Sequence, residues 1–478
     1  MHEDVTRQLA ECVVNTEYKS LSADDIANTK LMVLDSIGCA LGGYITDRAG
    51  IVLELVEEFG GNHEATVIGS RKTSCPLAAF ANSELLNALD YDYLGPVASH
   101  VAPYTASPCF AVAEREHASG KDLIVSYALA HEVGGRAINS VAQHKVLKDE
   151  PPYYETHPRF TFATSIFGGV AGAGKLLGLD VAHLLHAFGI AGASTPVPAS
   201  MKWEEMSGPA IMAKYNAWSG WTSQLATVSV LAAERGFTGD TSILDGEWGY
   251  WQIVGSPFFK VDSLLKDLGK VWHVSDEVRF KLYPTCYIYH AAIEGISTLM
   301  KENGIKPDDV DEIVVKGDPL MQTPNRMGLE VNTFADAQFF IKFNMALAVY
   351  HGDQPSPSWQ IPSTYNDPRI GRLVDQVKLE VHPDVDEFAK SMIKEGKTPV
   401  MLGAIVELAA KGKRFSIEMK VPKGSKGNPA TEQELIEKFN TNASYSMIKT
   451  GKIEQVIEMT MHLEDIDDVT KLFALLAL

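Results

Sequence analysis

The period of the apolar residues changes near residue 268, and that change limits the folds open to this chain. Before it, apolar positions recur at helical spacing. Ser22 and Asp25 have the pattern of a capping box ahead of an apolar run through Leu31, Met32, Leu34 and Ile37, which Gly42 and Gly43 stop. Similar runs at 121–143, 166–179, 181–192 and 211–235, with Gly and Pro between them, predict further helices. The Gly/Ala density of GGVAGAGKLLG predicts helices whose backbones approach closely in a buried bundle. After the change, DEIVVKGDP (311–319), VKLEVHP (377–383) and KRFSIEMKVP (413–422) are short branched or alternating segments bounded by Pro, Gly and Asp, as strands are. DAQFFIKFNMALAVYHG (336–352) reads as one buried helix, and helical period returns from about 431. The expectation is an α+β fold: a large all-helical domain, residues 1–268 plus 436–478, with a smaller α/β domain, 269–435, inserted before the last helices. A chain of 478 residues has the length for two such cores.

Charge narrows the partners. With 42 basic and 61 acidic side chains the net charge is −19, and no basic stripe interrupts it, so nucleic acid is not an expected partner. The opening MHEDVTRQLAEC is acidic and polar where a secretory signal is basic then apolar, and no run of 18 apolar residues follows, so a cytoplasmic protein without membrane contact is expected. Five scattered cysteines without CxxC spacing point to neither a disulfide framework nor a zinc site.

Most familiar motifs fail on inspection. GVAGAGKL (169–176) satisfies G-x-x-x-x-G-K, but Leu176 stands where a P-loop needs Ser or Thr, and the surroundings are helical. His183 and His186 stand three apart on an expected helix without an acid or third histidine to complete a metal site, and are read as surface or interface residues. More informative are Lys214 and Lys281, set in apolar or small-residue surroundings, because a buried ammonium needs an anion. The stretch LNALDYDYLGPVASHVAP (86–103) adds Asp90, Asp92 and His100. These could cap a turn and sit at the surface. Together with the lysines, however, they supply a carboxylate, a side chain that titrates near neutrality and cations for carboxylates.

Several blocks in order carry a resemblance: LMVLDSIGCALGG, NALDYDYLGPVASHVAP, AGAGKLLGLD, MAKYNAWSG with LAAERGFTGDTSILDGEWG, and FKLYPTCYIYHAAIEG. In this order they resemble the MmgE/PrpD family, which includes 2-methylcitrate dehydratase and cis-aconitate decarboxylase. The resemblance implies the helical domain with an α/β lid, a homodimer, no cofactor or metal, and a site for small polycarboxylates between the domains. By position, Asp90 and His100 match the family's D-x-D-D-T...H-P segment, Lys214 the lysine before a second-half helix, and Lys281 that of the K-x-Y/F-P block. The family's Asp-Asp-Thr is here Asp92-Tyr93-Leu94, its His-Pro is His100-Val101-Ala102-Pro103, and its second histidine falls near Arg159, with His157 the nearest imidazole. Glu204 and Glu205, ahead of Lys214, are unwelcome in a tricarboxylate pocket unless they point away.

The resulting expectation is a cofactor-independent lyase, dehydratase-like, acting through a carbanion-like intermediate. Lys214 and Lys281 hold carboxylates, His100 moves the proton, Asp90 orients or charges His100, and His157 or Arg159 is a second partner. Arg159 and Tyr93 are further candidate substrate contacts. Decarboxylation and epimerisation share the intermediate and stay open, as does a catalytically silent homologue that binds a metabolite.

Overall fold

The structure is a computed structural model that describes residues 4–141, 145–147, 154–156, 162–197, 202, 211–213, 218–395 and 399–478. Its first part is a stack of helices: α1 (Val5–Asn15), α2 (Ala23–Gly42), α3 (Asp47–Phe59), α4 (Cys75–Asn87), α5 (Ala102–Arg115), α6 (Gly120–Val141), α7 (Ile166–Leu176), α8 (Val181–Ser194) and α9 (Ser219–Glu234). The capping box read from the sequence forms. Ser22 accepts from the Asp25 amide at 3.1 Å and Asp25 accepts from the Ser22 amide at 3.0 Å, which fixes the start of α2. Two short antiparallel ladders, β1 (Ala65–Thr66) with β2 (Lys72–Thr73) and β3 (Lys145–Leu147) with β4 (Tyr154–Thr156), interrupt a region expected to be helical throughout.

The GVAGAGKL stretch lies inside α7, so it is no phosphate loop. Its lysine, Lys175, donates to the carbonyl of Val14 at 2.7 Å. Its glycines serve close packing. A Cβ on Gly172 would meet Cys109 Sγ, the Ser126 carbonyl at 2.7 Å and Ala130 Cβ at 2.8 Å, so α7 lies directly against α5 and α6.

The second part centres on a four-stranded sheet ordered β6–β5–β7–β8, from β5 (Val310–Gly317), β6 (Val377–Val381), β7 (Ala404–Ala410) and β8 (Lys413–Met419). β5 runs parallel to β6 and antiparallel to β7. β7 and β8 form a hairpin whose two-residue turn, Lys411–Gly412, has positive φ at both positions (55° and 71°), matching the twist of the strands. Helix α10 (His290–Asn303) covers β7 and β8. The expected single helix at 336–352 is two, α11 (Phe334–Phe339) and α12 (Ile341–His351), broken at Phe340 in extended backbone. Helices α13 (Glu432–Ala443) and α14 (Thr450–Met461) return to the first part, α13 lying on α2.

Two hydrophobic cores result. One draws on residues from Val5 to Phe280 and again from Leu435 to Leu476; the other runs from Tyr283 to Ala410. The fold is thus mixed and dominated by helices. Among the described residues no helix is long and apolar enough to cross a membrane. Gly172→Val should destabilise the chain by about 3 kcal/mol, the upper range for overpacking a core, as measured by urea unfolding; a change under about 0.5 kcal/mol, typical of surface sites, would show that α7 does not pack as described.

Candidate active site

Beyond the end of α4 the chain turns sharply at Asp90, whose φ is 54°, and is buried from Tyr91 to Pro96 and again at Ser99 and His100. Asp90 is 1% exposed and His100 3%. Local bonds shape this loop. Gly95 donates to the Ser99 carbonyl at 2.8 Å, and Ser99 Oγ donates to the Pro96 carbonyl at 2.6 Å. Leu94 exchanges backbone bonds with Arg279, both 2.8 Å, and the Arg279 guanidinium donates to the Gly95 carbonyl at 2.9 Å. The loop is thereby tied to the segment that carries Lys281 two residues later.

Lys281, with no exposed surface, donates from Nζ to Asp90 Oδ2 at 2.7 Å. The other oxygen of Asp90 lies 3.4 Å from His100 Nε2. His100 Nδ1 lies 2.8 Å from Asp92 Oδ2, and the remaining oxygen of Asp92 accepts from Asn87 at 3.1 Å. The contact with Asp92 at Nδ1 orients the ring and turns Nε2 toward Asp90. Phe162 meets the imidazole edge-on at 5.8 Å.

A second buried ion pair supports the first. Lys438 on α13 places its ammonium against Asp35 Oδ1 at 2.6 Å, the Tyr91 carbonyl at 2.7 Å and the Lys281 carbonyl at 2.8 Å, using all three N–H groups. It also sits 3.9 Å above the ring of Tyr91. Burial works to lower the Lys438 pKa, but Asp35, with a smaller push from Asp92, holds it above the ordinary lysine value. Asp35 also accepts from the Tyr93 amide at 3.1 Å. Nearby His290 is driven well below the usual histidine range by burial and by the Lys281 charge.

Of the residues expected from the sequence, Asp90, His100 and Lys281 meet. Tyr93 does not join them. Its hydroxyl pairs with that of Tyr127 at 2.7 Å, which reaches Ser36 at 2.9 Å, so the ring is committed to the helical core. Asp90, expected to orient or charge His100, stands between its Nε2 and Lys281, while Asp92 stands at Nδ1. Lys214, His157 and Arg159 lie outside the described residues, as do Glu204 and Glu205; the helix expected from 211 begins at Ser219. His183 is half-buried and bonds Asp180, while His186 contacts Gly239. Among the described residues no cluster of three His, Cys, Asp or Glu could hold a metal.

Sequence reasoning missed Asn87, Asp35 and Lys438. A signal existed for the last two. Leu435, Lys438, Phe439, Asn442 and Ala443 fall at one helical stripe, and all are buried, so a lysine occupied a core position of α13. Asp35 likewise interrupts the apolar run of α2.

The chain matches the MmgE/PrpD N-terminal domain over residues 7–260 and the MmgE/PrpD C-terminal domain over residues 283–463. It belongs to the MmgE/PrpD family. It is 25% identical over 486 residues to "Cis-aconitate decarboxylase" of Homo sapiens, covering 100% of this chain and 95% of that protein. The corresponding Mus musculus protein is 24% identical over 489 residues, covering 100% of this chain and 94% of its own length. A "Cis-aconitate decarboxylase-like protein" of Aspergillus oryzae is 23% identical over 503 residues, covering 99% of this chain and 97% of its own.

Two expectations follow. Lys281→Met should cost about 3–5 kcal/mol, because it leaves a buried carboxylate without its ammonium, and Lys281→Met with Asp90→Asn should recover part of that loss in urea unfolding. A cost near zero would mean that Lys281 is solvated. The raised Lys438 pKa makes its stabilisation complete below the ordinary lysine value near 10.4 and removes it as pH climbs through the folded value. The stability gap between wild type and Lys438→Met should accordingly hold steady from about pH 7 to 9 and narrow only above about 10.5, a window that thermal unfolding across pH can follow.

Proposed function

We propose that this chain is a lyase acting without a cofactor on a small unsaturated or hydroxy polycarboxylic acid. The observation that carries the proposal is the buried array Lys281–Asp90–His100–Asp92 in a chain that matches its family across both domains. Decarboxylation of a cis-aconitate-like acid is the reaction to test first, because the relatives named above bear that activity in their names. Dehydration of a 2-methylcitrate-like acid, the reaction expected from the sequence, uses the same side chains.

In decarboxylation the bond from carbon to a carboxylate breaks, carbon dioxide leaves, and the electron pair spreads toward the remaining unsaturated acid until a proton reaches carbon. In dehydration a proton leaves the carbon next to a carboxylate and the neighbouring hydroxyl leaves as water. Both need an imidazole with a fixed tautomer and positive charge to stabilise the carbanion. His100 is the proposed proton carrier, Asp92 fixes its Nδ1, Asp90 adjoins the working nitrogen, and Lys281 supplies charge. Lys214 is the proposed second cation, and His157 or Arg159 the proposed second partner. The core from Tyr283 to Ala410 is the proposed lid over the site, inserted within the helical domain. A homodimer and a cytoplasmic location belong to the same proposal.

Purified protein offered cis-aconitate, 2-methylcitrate and related acids should turn over at least one. Released carbon dioxide distinguishes decarboxylation from dehydration, in which only alkene absorbance rises. His100→Ala should lower kcat by about 100-fold or more, the usual share of a general acid or base. Asp90→Asn and His100→Ala should combine to less than the product of their separate effects. Neither turnover nor thermal stabilisation by any acid would favour a silent homologue.

A further inference from the structure

Two buried amides have no part in the chemistry above. Gln338 on α11 is 0% exposed and Gln360, in the turn Pro357–Gln360, is 2% exposed. Gln338 Nε2 donates to the Ala88 carbonyl at 2.7 Å and to Gln360 Oε1 at 2.7 Å. Gln360 Nε2 donates to the Leu89 carbonyl at 2.8 Å and to the Pro284 carbonyl at 2.7 Å. Since three of these acceptors are backbone carbonyls, the nitrogens must face them, and all four N–H groups are used.

The acceptors are not arbitrary. Ala88 and Leu89 follow the last turn of α4, where helix carbonyls lack helical partners, and they immediately precede Asp90. Pro284 stands three residues after Lys281. The Gln338 carbonyl also accepts from Thr285 Oγ1 at 2.7 Å and from the Cys286 amide at 3.2 Å. One pair of amides from the sheet-containing part therefore grips the backbone beside Asp90 and the backbone beside Lys281. Asp90 holds a left-handed backbone, a conformation uncommon outside Gly that Asp tolerates better than most residues.

We infer that Gln338 and Gln360 are positioning residues: they set the approach of Asp90 to Lys281, and through Asp90 the surroundings of His100 Nε2. The catalytic part of this inference rests on the proposed function; the geometric part does not. A methionine at either position keeps the length of the side chain and removes the donors. In a crystal structure of Gln360→Met the distance from Lys281 Nζ to Asp90 should open beyond about 3.5 Å, the limit of a hydrogen bond, with the rest of the fold superposing. An unchanged ion pair overturns the inference whatever the chain catalyses.

With a substrate in hand, Gln360→Met should lower kcat about 10–100-fold while KM stays within about threefold, as expected when reacting groups are misplaced by about 1 Å. The same substitution in an Asp90→Asn background should add little, because its effect passes through Asp90. Equal losses in both backgrounds would mark a general structural defect and overturn the role. If wild type converts none of the acids, the proposed function fails and the crystallographic comparison alone decides this inference. Should Gln338→Met fail to fold, Gln360→Met carries the test, since it leaves the bond from Gln338 to Ala88 in place.

Discussion

Two lysine ammonium groups taken out of water dominate the centre of this protein. Each would cost several kcal/mol if buried alone, and each is matched to an aspartate. Lys281 meets Asp90, Lys438 meets Asp35, and the pairs are joined because Lys438 also binds the carbonyl of Lys281. Four distant stretches of chain must arrive together for this to hold: α2, the loop after α4, the passage between the two cores, and α13. The surrounding architecture can be understood as the means of delivering these four stretches. In particular, α13 lies on α2 although about 400 residues separate them.

Against this charged centre the His100 imidazole acquires a direction. Asp92 and Asn87 fix one side of the ring, while Asp90, already bound to Lys281, faces the other. Three carboxylates (Asp35, Asp90, Asp92) and two ammonium groups (Lys281, Lys438) stand in this array. The tyrosine chain Tyr93–Tyr127–Ser36 has another part: it binds the loop to α2 and α6 and keeps the acid-bearing backbone from shifting.

Much of the fold was legible from apolar spacing and turn residues. The α2 capping box, the helical periods of α6 to α8 and the strands β5, β6 and β8 lie where apolar spacing and turn residues place them. β7 was not legible. Its sequence AIVELAA mixes alanines with a glutamate and lacks a strong strand signature, yet it pairs with β5 and β8 and buries Ala404, Val406, Leu408 and Ala410. The break at Phe340 was hidden for the opposite reason. Apolar residues on both sides leave no period to interrupt, and the bend follows from packing against the second core.

The site divides in the same way. Sequence by itself determined which groups were chemically conspicuous: Asp90 and His100 in a breaking loop, and Lys281 in an apolar segment needing an anion. It also determined the family, through blocks spread along the chain in one order. Tertiary structure alone decided the pairing. It placed Asp92, not Asp90, on Nδ1, turned Tyr93 into the core, and brought in Asp35 and Lys438 from opposite ends of the chain. The physical reason is that a charge's need for a partner is local and visible in its neighbours, whereas the partner's identity depends on contacts between residues hundreds of positions apart, which no local period encodes.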